Sequence, residues 1–130
     1  MSESPPDKTT PNKPPPDKNL LKGTLDLLVL EAVAAAPRQR SYGYEITQLV
    51  LHGTGEAIAV SEGSLYPALH RMERDGWLKA DWGEAAGRRR KYYKLTAAGR
   101  KALAAKRSGW KAFTQAIGGL VQPPAAEGTT

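Results

Sequence analysis

Cysteine is absent from this 130-residue chain, which excludes disulfides and thiolate metal ligands. Histidine occurs only at His52 and His70, and two isolated imidazoles without cysteine make no metal site. No stretch approaches the roughly 18 consecutive apolar residues of a membrane span, and the first residues lack the apolar run of a signal peptide. There is no G-x-S-x-G, and the acids near Ser61 and Ser64 fit capping and surface roles better than a hydrolase triad. No internal repeat is visible. Together these absences point to a cytoplasmic protein, not an enzyme, with neither metal nor cofactor.

Six of the ten prolines lie in residues 1–19, MSESPPDKTTPNKPPPDKN, which hold no aliphatic residue beyond Met1. Such a segment buries too little apolar area to offset the entropy of ordering it, and is expected to be a mobile, dispensable arm. The last residues, 122–130, read as a frayed tail. What remains is about 100 residues, enough for one small core but tight for a lone monomer.

The net charge of +6 is concentrated. Residues 71–111 hold thirteen Lys and Arg against four acids, while residues 20–70 hold three against five and the arm sums to zero. One basic block in a nearly neutral chain suggests a polyanionic partner.

The spacing predicts four helices and a hairpin. NLLKGTLDLLVLEAVAAA is a helix with Leu21, Leu25, Leu28 and Ala32 on a stripe wide enough to be covered on two sides. Pro37 ends it, and RQRS reads as a loop. YGYEITQLVLHG is a second helix, with Ser41 as its cap, Tyr42, Ile46, Leu49 and Val50 on one face, and Gly53 as its stop. TGEAIAV holds an apolar run that is expected to pair briefly as a strand. A third helix starts at Ser61 or Ser64, with Leu65, Leu69 and Met72 facing the core. Gly63, Pro67, His70 and Arg74 face outward, Tyr66 and Arg71 flank them, and Gly76 is the left-handed end. WLKADW and RRRKYYKL form a hairpin around the turn GEAAG. Of Tyr92 and Tyr93, adjacent on the return strand, one is expected in the core and the other exposed. Thr96 caps a last helix to about Val121, whose Leu103, Trp110, Phe113, Ile117 and Leu120 follow a heptad seam interrupted by Lys106.

Three helices followed by a basic hairpin is the order of a winged helix-turn-helix. The fold class is therefore mostly α with a small β-hairpin: a winged helix-turn-helix domain, residues 20–96, followed by a long dimerisation helix, residues 97–121. A helix entering the major groove of double-stranded DNA needs a small, uncrowded N-terminus. Ser61, Gly63, Ser64, Tyr66 and Pro67 supply it, with His70, Arg71 and Arg74 further along and Tyr42 on the preceding helix. Arg88, Arg89, Arg90 and Lys91 of the hairpin are expected to hold the neighbouring phosphates, which set affinity and register while base contacts set preference. The seam, with Leu21 and Leu25 of the first helix, is the expected surface of a homodimer. Two recognition helices about 34 Å apart then read an inverted repeat.

LLKGTLDLLVLEAV, YGYEI, GSLYPALHRMERDGWL and RRKYYKLTAAGRKAL, taken in this order, resemble the PadR family of bacterial transcriptional regulators over residues 20 to about 121. The resemblance implies a winged-helix domain, a C-terminal dimerisation helix and a dimer that binds a pseudo-palindromic operator, usually as a repressor. The single last helix is similar to the smaller subgroup of that family. The proline-rich arm and the acid at Glu62 depart from the family pattern. For Trp110 two roles stand side by side: packing the dimer with Phe113, which the seam favours, or stacking a flat aromatic effector, which the resemblance implies. A protein-interaction module on the same scaffold is the alternative function, but it leaves the basic block unexplained.

Overall fold

The computed structural model of the protein describes residues 18–121. The expected tail and the arm fall outside the described residues, except that Lys18 and Asn19 already belong to the first helix. The chain order is α1 (Lys18–Ala35), β1 (Arg40–Tyr42), α2 (Gly43–Gly53), α3 (Glu62–Arg74), β2 (Leu78–Ala85), β3 (Arg88–Leu95) and α4 (Ala97–Leu120). The strands form one antiparallel sheet in the order β1-β3-β2. Among the described residues no helix is long and apolar enough to cross a membrane.

The core lies where α1, α2 and α3 meet the inner face of the sheet. Val29, Leu30 and Val33 of α1, Ile46 of α2, Leu65, Leu69 and Met72 of α3, and Tyr93 of β3 are buried together. Each apolar side chain of this kind removed from water stabilises the fold by roughly 1.5–3 kcal/mol. The expected inward face of α3 is therefore present, with Ala68 added to it.

Several expectations are corrected. RQRS is not a loop: Pro37–Gln39 form a single 3-10 turn, and Arg40–Tyr42 pair with Lys94, Tyr93 and Tyr92 as β1. Ser41 consequently does not cap α2. It is a fully buried strand residue whose hydroxyl donates to Glu45 Oε1 at 2.6 Å, while Tyr42 occupies the cap position without a side-chain bond. Tyr42 is thus a strand residue and not part of the inward face of α2. The apolar run in TGEAIAV forms no strand. Instead the Thr54 hydroxyl donates to the Val50 carbonyl at 2.8 Å and accepts from the Ile58 amide at 3.1 Å, closing a turn with positive φ at Gly55 and Glu56. Finally, Tyr92 and Tyr93 are both buried, because β1 adds a third strand that brings Arg40 and Tyr42 over the outer face of the sheet.

The ends of α3 and α4 follow their sequence signals. Gly76 has φ +83°, its amide donates to the Glu73 carbonyl at 3.1 Å, and the Trp77 amide donates to the Met72 carbonyl at 2.9 Å; this is the Schellman termination that glycine permits. Thr96 accepts from the Gly99 amide at 2.9 Å and donates to the Gly76 carbonyl at 2.6 Å. One side chain thereby caps α4 and ties it to the end of α3.

Candidate nucleic-acid interface

The helix α3 starts immediately after Ser61, whose hydroxyl accepts from the Ser64 amide at 3.2 Å. Pro67 therefore sits inside the helix, and its missing N–H removes the ladder bond to the Gly63 carbonyl. Gly63 is exposed. A β-carbon there would meet nothing closer than the Ser61 hydroxyl at 3.9 Å. Ser61, Glu62, Gly63, Ser64, Pro67, His70 and Arg74 are all exposed. The edge expected to read DNA is thus open along its length, while the opposite face of the helix is core.

Tyr66 is 38% exposed, and its hydroxyl lies against the backbone of Gly43 at the start of α2. Its ring bridges α2 and α3, so it is both a packing residue and part of the open edge.

The turn between β2 and β3 is only two residues, Ala86 and Gly87, both with positive φ (54° and 77°), as the tight right-twisting hairpin turn requires. The strands are therefore longer than expected. Strand alternation places Trp82, Glu84, Arg89 and Lys91 on the same face as the core residue Tyr93 and the half-buried Ala80, and Lys91 reaches Glu73 of α3 at 3.4 Å. Burial alone would lower the Lys91 pKa, but the Tyr93 phenol and the Glu73 carboxylate outweigh it and hold the ammonium charged. Burial pushes the Tyr93 phenol up. The Arg89 guanidinium stacks 4.5 Å from the exposed Trp82 ring.

On the outer face the side chains interleave. Arg40 lies 4.2 Å over Tyr92, Tyr92 meets Tyr42 edge-on at 5.4 Å, and Arg90 lies 4.5 Å over Tyr42. Arg90 Nε is buried without a hydrogen-bond partner among the described residues.

Between the start of α2, the exposed edge of α3 and the hairpin runs an open groove of about 540 Å³. Of the residues expected to touch DNA, Tyr42, Tyr66, His70, Arg88, Arg89, Arg90 and Lys91 line it. Ser61, Gly63, Ser64, Pro67 and Arg74 lie along the same exposed edge of α3. Arg71 is not brought to this groove. It faces α1, where its guanidinium makes two bonds to the Asp26 carboxylate at 2.7 and 2.8 Å. That pairing holds the Asp26 carboxyl below the usual carboxylate range, against the opposing effect of burial. Tyr44, Glu62 and Trp82 also line the groove, and of these only Glu62 drew notice in the sequence. Trp82 was legible there, since it shares the Lys91 side of the hairpin once the strands are in register.

The expected dimer surface divides in two. Leu103 is 4% exposed and belongs to the core of its own domain. This corrects its place in the seam: the first turns of α4 pack on α1, where Arg107 makes two bonds to Glu31 at 2.6 and 2.7 Å. Lys106, the interruption in the heptads, lies 5.2 Å from the Trp77 ring of the same domain. Leu25 is half-buried against the core, and the side chain of Leu21 lies outside the described residues. From Trp110 onward the seam is bare: Trp110, Phe113, Ile117 and Leu120 are all exposed, with the Trp110 and Phe113 rings 6.3 Å apart. Among the described residues no group of three His, Asp or Glu is placed to hold a metal.

Comparison with known proteins agrees with this geometry. Residues 29–105 match the model of the transcriptional regulator PadR-like family. A solved transcriptional regulator from Clostridium thermocellum is 30% identical, with TM-score 0.72, covering 81% of this chain and 100% of that one. A PadR family transcriptional regulator from Eggerthella lenta is 30% identical, with TM-score 0.66, over 80% of this chain and 87% of that one. The transcriptional regulator Rv3488 of Mycobacterium tuberculosis is 40% identical over 70 residues, 54% of this chain and 65% of its own length.

Proposed function

This chain belongs to the PadR-like family of transcriptional regulators, and from that premise we propose that it is a homodimeric, cytoplasmic repressor of a pseudo-palindromic operator. The observation that carries the reading is the open edge of α3 beside four consecutive cations, Arg88 to Lys91, across one groove. The edge enters the major groove, with Ser61, Gly63, Ser64 and Tyr66 nearest the bases. The hairpin lies on the adjoining backbone, where cations neutralise phosphates.

Self-association is supported by the bare row Trp110, Phe113, Ile117 and Leu120, which a second copy of α4 would cover. The same row offers a platform to a flat aromatic effector at Trp110, the second reading of that residue. Titration with a planar dye should quench tryptophan fluorescence in the wild type but not in Trp110→Phe.

The reading is tested by anisotropy titration of the full chain onto duplex DNA across a salt series, together with sedimentation equilibrium. Expected are a stable dimer and an affinity that falls steeply with salt, by about 0.9 log units per log unit of salt for each phosphate contact. A salt-insensitive monomer with no preference among random duplexes would overturn it and favour the protein-interaction module.

A further inference from the structure

Glu62 is the sole acid among the described residues that line the groove, which it shares with Arg88, Arg89, Arg90 and Lys91. It is the first residue of α3 and is exposed. The helix does not need it for capping. Ser61 already accepts from the Ser64 amide at 3.2 Å and donates to the Ser64 hydroxyl at 3.2 Å. A capping box would place its acid at the third helical position, which Ser64 occupies. Nor do the hairpin cations neutralise it: among the described residues the Glu62 carboxylate has no ion pair and no hydrogen bond.

An unpaired carboxylate in a groove built for a polyanion repels every phosphate it faces, so it lowers affinity for DNA in general. Its only favourable contacts in the major groove are amino donors. Guanine presents two acceptors there, and thymine an acceptor and a methyl group. Adenine presents its amino group beside the N7 lone pair, which opposes the second carboxylate oxygen. Cytosine presents its amino group with no acceptor on its own major-groove edge.

We infer that Glu62 is a specificity-determining residue that accepts a hydrogen bond from the N4 amino group of a cytosine in each half-site, giving up general affinity in exchange for preference. The inference rests on the DNA-binding reading above and adds to it the identity of one base.

The test is selection from a random duplex pool by the full-length wild type, Glu62→Ala and Glu62→Gln, followed by titration on the selected sites at one salt concentration. The wild type should enrich cytosine at one position per half-site. Glu62→Ala should lose about tenfold or more of the discrimination at that position only, while binding random DNA more tightly. Glu62→Gln should move the preference toward adenine, because an amide both donates and accepts. Melting temperatures should be nearly equal for all three, which separates this role from a favourable interaction with the helix dipole. Unchanged base preference in both variants overturns the inference and leaves the DNA-binding reading standing. A wild type that selects no sequence instead overturns the DNA-binding reading itself.

Discussion

The phenol of Tyr66 rests on the backbone of Gly43, and a β-carbon at residue 43 would overlap its hydroxyl. The contact joins the start of α2 to the edge of α3, so the absence of a side chain at 43 fixes where an aromatic ring stands in the groove. In Gly43→Ala the ring must swing outward, which its 38% exposure allows. The expected loss of stability is therefore modest, about 1 kcal/mol, while affinity for the selected operator falls more than affinity for random DNA. Urea titration and anisotropy on both duplexes measure the two effects; equal losses on both would show that the ring position carries no preference.

Gly99 makes the opposite case. A β-carbon there would run into the Trp77 carbonyl, which is backbone, with the Leu95 side chain 3.3 Å away. Nothing flexible can yield. Gly99→Ala should cost roughly 1–3 kcal/mol or more, seen as a lower urea midpoint at unchanged slope. A midpoint equal to wild type would mean that α4 leaves the sheet differently.

Arg88 and Arg90 are neighbours with different surroundings. Arg88 is exposed, whereas Arg90 is half-buried over Tyr42. Arg88→Ala should lower DNA affinity across all sequences and reduce the salt slope by about one unit, with little change in melting. Arg90→Ala should lower the melting temperature as well, because it uncovers Tyr42. If Arg88→Ala leaves the salt slope intact, that side chain touches no phosphate.

The Asp26–Arg71 pair makes stability depend on pH. Hydrogen bonding from Arg71 lowers the Asp26 pKa in the folded state, so the pair stabilises above the ordinary carboxylate range, and that contribution is lost as pH falls through the folded value. The pair is partly exposed, at 41% and 20%, which limits it to about 1 kcal/mol at neutral pH. Asp26→Asn should be weaker than wild type by that amount at pH 7 and nearly equal to it once the pH has fallen below the lowered folded-state value of Asp26. Urea denaturation at the two pH values checks this, and a constant difference would assign the loss to packing instead of charge.

Leu103 and Leu120, both on α4, should fail differently. Leu103→Ala opens a cavity in the core and should cost about 2–5 kcal/mol. Leu120→Asp touches only the bare row, so it should dissociate the dimer in sedimentation while leaving the helical circular dichroism of the domain largely unchanged. A dimer that survives Leu120→Asp together with Phe113→Asp would place the interface elsewhere.

Most elements were legible because their signals are local. The 3.6-residue spacing of Leu65, Leu69 and Met72, the glycine at 76 and the threonine at 96 each act within a turn or two of chain, and the structure keeps them. The misreadings share another cause. Arg40–Tyr42 is too short to carry a period and becomes a strand only because β3 lies beside it. Leu103 satisfies the heptad rule as well as Trp110 does, yet one faces α1 and the other faces outward. A repeat along a helix does not say which neighbour covers it.

By itself, the chain determined the order of its helices, the ends of α3 and α4, and the gathering of positive charge around the hairpin, since these depend on residues close in sequence. Only the tertiary structure decided which basic side chains share a groove with α3. Arg71 and Arg74 lie on one helix three residues apart, but an aspartate 45 positions earlier claims the first and leaves the second on the exposed edge. Charge is written in the sequence, whereas the partner that neutralises it is chosen by distance across the fold.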